Sequence, residues 1–334
     1  MVRPMKWLIT VAGIASLGLT ASAQDPSWAW KPAIPSANDG QVHVLPLRRS
    51  VSMLAGAGGN VTVYAGDDGV MLVDTGAAAM SDKVLAAVRT ISSAPIRYII
   101  NTNERPEYTG GNDTIAPQGE TIPFRPAQTI QMQGYVGNKR ASVISFLTVF
   151  ERMSAPTGQV APRSEAAWPD NTYSTPQKKL FFNGEPVVIM HQPSSTDGNS
   201  IVHFRTADVV SVGDLIDLTA YPFIDVKAGG SIDALAKALN SLIQITVPDR
   251  QSEGGTLVIP GHGRVMDQPD VVYYREMVAI VRDRIQDMIT RGLTLEQVKA
   301  ARPTRDWDTR YGTDAGPWTT SMFVEAAYQS LKRP

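Results

Sequence analysis

The hydrophobic positions of this chain first follow strand-like alternation and then helical spacing. Four short β-rich segments separated by glycine-bearing turns predict consecutive antiparallel strands. They are Val42–Leu47, Val51–Leu54, Asn60–Tyr64 and Val70–Val73. Apolar residues then recur at helical spacing over Met80–Ile91, and an apolar strand is predicted at Ile96–Ile100 before the polar loop Asn101–Asn112.

The second half of the chain repeats this order after a less regular stretch. Thr114–Arg140 has weak periodicity, Ser142–Met153 predicts a helix, and Ser154–Thr175 is expected to cross the surface. The remaining predicted elements are strands at Lys179–Phe182, Pro186–His191, Ser200–Phe204, Val209–Val212 and Thr256–Ile259, and helices at Ile232–Ile245, Asp270–Gly292 and Leu295–Ala301. Two sheets packed face to face with helices outside satisfy this order, so a mixed α/β fold is expected.

The N-terminus has the pattern of a secretory signal peptide. Arg3 and Lys6 precede an apolar run from Trp7 to Leu19, and Ala21-Ser22-Ala23 follows as a cleavage site. The run is short for a membrane span, although an uncleaved anchor is the alternative. The expected organisation is a signal peptide at 1–23, an extended lead-in at 24–41 and one domain at 42–334, exported to the periplasm or outside the cell.

Composition limits the chemistry and the partners. The chain has no cysteine and 4 histidines, so any metal must be held by imidazole and oxygen ligands. The net charge of −1 and the lack of a basic cluster argue against a nucleic-acid partner. No second long apolar stretch follows, so no membrane span is expected after signal cleavage, and a small molecule is the expected partner.

Polar and glycine-rich motifs follow the predicted strands in a recognisable order. They are Val70-Met71-Leu72-Val73-Asp74-Thr75-Gly76, Asn101-Thr102 with Gly110-Gly111-Asn112, Thr196-Asp197-Gly198, Gly213-Asp214 and Pro260-Gly261-His262-Gly263. Together they resemble the metallo-β-lactamase fold superfamily from about Val42 to the C-terminus. The resemblance implies a four-layer αββα sandwich whose loops bind one or two zinc ions and activate water for hydrolysis.

The chain departs from that family at the metal ligands themselves. Where the resemblance places histidines, this sequence has Asn103, Arg105, Tyr108 and Ser195, and Glu107 stands in place of an aspartate. Only Asp214 and His262 remain of the usual ligand set. Arg105 carries a fixed positive charge that repels a dication, so the first metal is expected to be absent and the guanidinium is expected to pair with Asp214 or Glu107.

A second metal position is less clearly lost. Glu107, Tyr108, Asp214 and His262 stand at its ligand positions, so a single zinc, manganese or iron ion is the alternative to no cofactor. Glutamate is one methylene longer than aspartate, and a neutral phenol is a poor ligand. A hydrogen-bonded polar cluster in an old metal pocket is the other interpretation.

Three functional hypotheses follow from these residues. The first is a pseudoenzyme or small-molecule-binding protein whose pocket keeps Arg105, Glu107, Asp214 and His262. Arg105, Ser195 and His191 are expected to contact the ligand, with Arg105 as a clamp for an anion. The second is a hydrolase of an ester, lactam or similar bond, with His262 or Glu107 as general base and Arg105 stabilising the oxyanion. The third is an interaction protein that uses Ser154–Thr175 as its contact surface.

Overall fold

The first seven strands form one sheet in chain order. The computed structural model describes residues 39–121, 139–155, 163–249 and 254–333, all within the unit Ala33–Pro334. The strands are β1 His43–Pro46, β2 Val51–Ala55, β3 Val61–Gly66, β4 Gly69–Val73, β5 Ile96–Ile100, β6 Ser142–Phe146 and β7 Asn171–Tyr173. The first four strands pair antiparallel, as predicted, and β4 to β7 pair parallel.

A second sheet contains five strands in the order β12-β11-β10-β9-β8. Its strands are β8 Gln177–Phe182, β9 Glu185–His191, β10 Ser200–Phe204, β11 Val209–Asp217 and β12 Leu257–His262. Strands β8 to β11 pair antiparallel, whereas β11 and β12 run parallel. The last two strands are longer than predicted, and the extra length includes Asp214 within β11 and His262 at the end of the neighbouring β12.

Helices cover the outer faces of both sheets. Those described are α1 Ser81–Ile91, α2 Pro106–Thr109, α3 Asn112–Ile115, α4 Leu147–Ser154, α5 Ile232–Ile245, α6 Gln268–Thr290, α7 Leu295–Ala301, α8 Asp308–Tyr311 and α9 Thr320–Leu331, with short 3-10 turns at Ala78–Met80, Ala116–Gln118 and Glu165–Ala167. Among the described residues, no helix is both long and apolar enough to cross a membrane.

Three hydrophobic clusters show how the layers pack. Met71 and Val73 of β4 face the second sheet, where they share a core with Ile189 and Val202. The alternate β4 residue Leu72 packs outward with α1. The outer face of the second sheet packs against α5, α6 and α9. Because β4 is buried on both faces, its sequence is a continuous apolar run, and the predicted four-layer sandwich is confirmed.

Two predictions of local structure are corrected. Ser142–Met153 is not one helix, because Ser142–Phe146 pairs with β5 and β7 and only Leu147–Ser154 is helical. A short apolar run does not distinguish a buried strand from a helix by its periodicity alone. The stretch Ser154–Thr175 contains β7, so it is not wholly irregular. Residues 1–38, which include the predicted signal peptide and most of the lead-in, lie outside the described residues.

Candidate functional site

Hydrogen bonds between strand-end loops bring the candidate residues together. Asp74, directly after β4, accepts from both the backbone N and the hydroxyl of Thr102 at 2.8 Å. The carbonyl of Thr102 accepts from Ser200 N at the start of β10. From the β2–β3 loop, Asn60 N donates to the carbonyl of Gly261 in β12. The loops of both sheets therefore meet at one place.

Arg105 lies at the centre of this place, between two carboxylates. Its backbone N donates to Asn103 Oδ1 at 2.8 Å, which fixes the turn before α2. The guanidinium Nη1 donates to Asp214 Oδ1 at 2.7 Å, and Nη2 pairs with Glu107. The guanidinium carbon also lies 4.1 Å from the centre of the Phe223 ring, within cation–π range.

The charge on Arg105 is fixed by this arrangement. Burial alone would lower the pKa of the guanidinium, but the charges of Asp214 and Glu107 outweigh burial and raise it overall. Both Nη atoms already donate to carboxylates, so an anionic ligand has to compete with Glu107 or Asp214 for them. The structure contains the predicted ion pairs of Arg105 with Asp214 and Glu107.

Tyr108 fills the space beneath Asp214 and remains neutral. Its hydroxyl donates to Asp214 Oδ1 at 3.2 Å, and its ring meets the edge of His262 with 5.9 Å between centroids. A Cβ on Gly261 would lie 2.3 Å from the phenol oxygen, so only glycine fits beside it. Burial, followed by the charge of Asp214, raises the pKa of the Tyr108 phenol well above its ordinary value. A neutral phenol is a poor metal ligand.

Asp214 is an enclosed carboxylate of the site. Its side chain is 2% exposed, and Oδ2 has no hydrogen-bond partner among the described residues. The preceding Gly213 has a φ of +48°, and a Cβ there would lie 2.2 Å from Thr102 Oγ1. Glycine at 213 therefore lets β11 approach Thr102 closely and places Asp214 against Arg105.

A second guanidinium cluster lies beside the first. Arg152 on α4 donates to Glu104 at 2.9 Å, to Asp197 at 2.6 Å and to the carbonyl of Ala228 at 3.1 Å. Thr148, one helical turn earlier, also donates to Asp197 at 3.0 Å. Burial raises the pKa of the Glu104 carboxyl, and Arg152 opposes this effect. Arg152 therefore connects the loop of Arg105 to the loop of Ser195.

Two residues at the first family metal position are enclosed. Asn103 and Ser195 are both 0% exposed. The Ser195 hydroxyl donates to Asn199 Oδ1 at 3.0 Å, and the same oxygen accepts from the backbone N and hydroxyl of Thr196. Ser195, expected to contact substrate, thus has no exposed surface, and a ligand reaches it only if this loop opens.

His191 has a local structural contact. Its ring stacks on Phe146 with 3.5 Å between centroids, and Nε2 lies 2.5 Å from the carbonyl of Asp197. This holds the loop 194–199 against the end of β9. His191 is partly exposed, as are Arg105, Glu107 and His262, and its contact with a substrate stays a prediction.

The donor set does not fit a divalent metal as it stands. Among the described residues, no group of three or more histidine, aspartate or glutamate side chains is arranged to hold a metal ion. The guanidinium of Arg105 lies between Asp214 and Glu107, and it repels a dication. Of the four positions of the second metal, Tyr108 stays neutral, and Glu107 and Asp214 are paired with Arg105.

Sequence reasoning missed Phe223 and Arg152. Phe223 contacts Arg105 from a segment 118 positions further along the chain, and no local pattern signals that contact. Arg152 had a usable signal, because Thr148 and Arg152 are one helical turn apart and bond the same carboxylate. Their shared partner Asp197 lies 45 positions from Arg152 along the chain, so the spacing alone did not identify it.

Two sheets packed face to face with helices outside, and a site in the loops at their strand ends, make the fold an αββα sandwich. The family model of the metallo-beta-lactamase superfamily matches residues 55–262. The chain therefore belongs to the metallo-beta-lactamase superfamily, and the resemblance read from the sequence is confirmed.

Solved structures of this fold are similar to the chain at low identity. The stereoselective inverting sec-alkylsulfatase Pisa1 from Pseudomonas sp. has a TM-score of 0.59 and 14% identity, over 86% of this chain and 50% of its own. A metallo-beta-lactamase from Pontibacter korlensis has a TM-score of 0.52 and 15% identity, over 72% of this chain and 99% of its own. This chain therefore spans about half the length of the alkylsulfatase. A search of curated proteins found none that matches.

Proposed function

We propose that this chain is a metal-independent member of the superfamily that binds a small molecule at the pocket of Arg105, Glu107 and His262. The observation that carries the proposal is the ion-paired Arg105 guanidinium between Asp214 and Glu107. Hydrolysis in a metal-dependent member relies on an ion that lowers the pKa of water. A guanidinium stabilises negative charge but does not bind and deprotonate water in that way.

The accessible floor of the pocket indicates what contacts a ligand. The side chains of Arg105 and Glu107 are 26% and 22% exposed, and His262 and Phe223 are also half-buried. Trp318 meets Phe223 at 4.8 Å between ring centroids, so an aromatic wall adjoins the ion pairs. A ligand that combines an apolar part with hydrogen-bonding groups suits this floor better than a simple anion, because the guanidinium donors are in use.

Export is part of the same proposal. The basic start, apolar run and Ala21-Ser22-Ala23 site predict cleavage after Ala23. An exported chain without cysteine folds without disulfide bonds in an oxidising compartment. We therefore place the protein in the periplasm or outside the cell.

The test is a hydrolase and ligand panel on the purified mature protein, with and without a chelator. Esters, lactams, thioesters and sulfate esters are assayed for turnover, and a small-molecule library is screened by thermal shift. We expect no chelator-sensitive hydrolysis, together with a ligand whose thermal shift is lost in Glu107→Ala. Turnover that needs an added metal would overturn the proposal. Chelator-resistant turnover lost in His262→Ala would assign the metal-free hydrolase instead.

A further inference from the structure

We infer that Arg105 is a resident cation that masks a divalent-cation site, and that removing its guanidinium exposes Glu107, Asp214 and His262 as ligands. This inference rests on the proposed function, in which the wild-type chain holds no metal. It goes further, because it assigns the side chain that excludes the ion and the side chains that would hold one.

The geometry places a positive charge where two carboxylates from different elements converge. Glu107 comes from α2 and Asp214 from β11, and each pairs with a different Nη atom of Arg105. The face of the guanidinium lies on Phe223, which fixes its plane. A single planar cation therefore connects the two carboxylates from inside the pocket.

The charge balance favours a doubly charged replacement. One guanidinium faces two carboxylates, so its formal charge compensates only one of them. Asp214 is 2% exposed, and its Oδ2 has no partner among the described residues. A divalent ion would compensate both carboxylates and use that oxygen. Carboxylate oxygens and one imidazole are a suitable ligand set for manganese or zinc.

The remaining side chains allow the carboxylates to move toward an ion. Glu107 is 22% exposed and has one more methylene than aspartate, so its carboxylate can turn toward the space that the guanidinium leaves when Arg105 is replaced. His262 ends β12 and already contacts the Tyr108 ring that supports Asp214. The Tyr108 hydroxyl donates to Asp214 Oδ1 at 3.2 Å, which orients the carboxylate and leaves Oδ2 without a partner among the described residues.

The experiment compares wild-type protein with Arg105→Ala in metal-free buffer, using MnCl2 and ZnCl2 as probes. Thermal unfolding and calorimetric titration measure binding directly, with no need for activity. We expect the variant to unfold at a lower temperature and to bind about one ion per chain, at least tenfold more tightly than wild type, with about 1 mM metal raising its Tm by several degrees. The Tm of the wild type stays unchanged with either metal.

Arg152→Ala is the matched control. Its guanidinium also lies between two carboxylates, Glu104 and Asp197, but its cluster has no free imidazole because His191 is bonded to a carbonyl. We expect this variant to lose stability without gaining metal affinity. Adding Asp214→Asn to Arg105→Ala is expected to remove the gained binding.

The outcomes separate the inference from the proposed function. A folded Arg105→Ala that binds metal no better than a metal-free wild type would overturn the inference alone. Stoichiometric metal in the wild type would overturn the proposed function instead. If Arg105→Ala does not fold, Arg105→Gln is measured in its place, because it keeps hydrogen-bond donors while removing the charge. Equal gains in Arg105→Ala and Arg152→Ala would also refute a specific site.

Discussion

Arg105 shows how one substitution changes the chemistry of a whole pocket. A histidine at this position is a neutral ligand, whereas an arginine is a permanent cation with five donors. Here two of its nitrogens reach carboxylates, and its face covers Phe223. The same side chain thus repels a metal ion and compensates the acidic groups that such an ion would have held.

Asp74 is the residue whose titration should affect stability most clearly. Burial raises the pKa of its carboxyl to about 8, although its hydrogen bonds from Thr102 oppose the shift. Because the folded pKa lies above the unfolded value near 3.8, stability is full at low pH and is lost as pH rises toward 8. The Tm of the wild-type protein should therefore fall as the pH is raised from 4 to 8.

Asp74→Asn isolates that contribution. Asparagine tolerates the left-handed φ of +64° at this position and keeps a side chain that bonds Thr102. The quantity to measure is the Tm of wild type minus the Tm of Asp74→Asn, obtained by circular dichroism at each pH. We expect this difference to fall by at least about 3 °C from pH 5 to pH 8. A difference that stays constant with pH would contradict a titrating Asp74.

At the scale of elements, α4 connects two loops of the site through Arg152. Glu104 is 4% exposed and Asp197 is 45% exposed, so the bond to Glu104 should dominate the stability. Arg152→Met should destabilise the fold by about 3 kcal/mol, because it leaves a buried carboxylate without its partner.

A double-mutant cycle measures this connection. Glu104→Gln removes the buried charge, so Arg152→Met should cost about 1 kcal/mol or less in that background. Urea unfolding of the four proteins gives the coupling energy. Strictly additive effects would show that the pair at 2.9 Å does not stabilise the two loops.

The C-terminal helices reach the site through the segment after β11. The Tyr221 hydroxyl lies 2.9 Å from both the Thr304 carbonyl and Asp308 Oδ1, and its ring stacks on Phe323. Trp318 donates to the carbonyl of Tyr221 at 3.0 Å. The helical extension thus supports the segment that holds Phe223 against Arg105.

Tyr221→Phe should lower stability by about 1 kcal/mol and the Tm by about 2–4 °C, because a buried hydrogen bond is lost. Faster amide exchange over residues 218–226 should accompany it. Tyr328→Phe is the control, since its hydroxyl bonds Leu293 at 3.2 Å away from this segment. Equal exchange in both variants would show that Tyr221 does not hold the Phe223 segment.

For the whole molecule, local patterns predicted most of the fold. The continuous apolar run of β4 and the helical spacing of α1 and α5 are each determined by burial against neighbouring layers, so the pattern is visible in sequence. The order of the motifs was sufficient to recognise the family, which the match over 55–262 confirms. Where a strand and a helix share one apolar run, as in 142–154, burial alone did not separate them.

The site was predictable only in part. The ion pairing of Arg105 followed from its fixed charge and from its place in the motif. The enclosure of Ser195, the bond of His191 to a carbonyl and the stacking of Phe223 depend on packing between segments far apart in sequence. The loss of ligand residues is visible in the sequence, but the group that now occupies their space is visible only in three dimensions.

The most direct test of the account is the metal content of the wild-type protein. The chain is produced in medium supplemented with zinc, manganese and iron, purified without a chelator and analysed by plasma mass spectrometry. The account predicts less than about 0.1 ion of any one metal per chain, because Arg105 already occupies the space between Asp214 and Glu107. About one tightly held ion per chain, lost in Glu107→Ala, would contradict it.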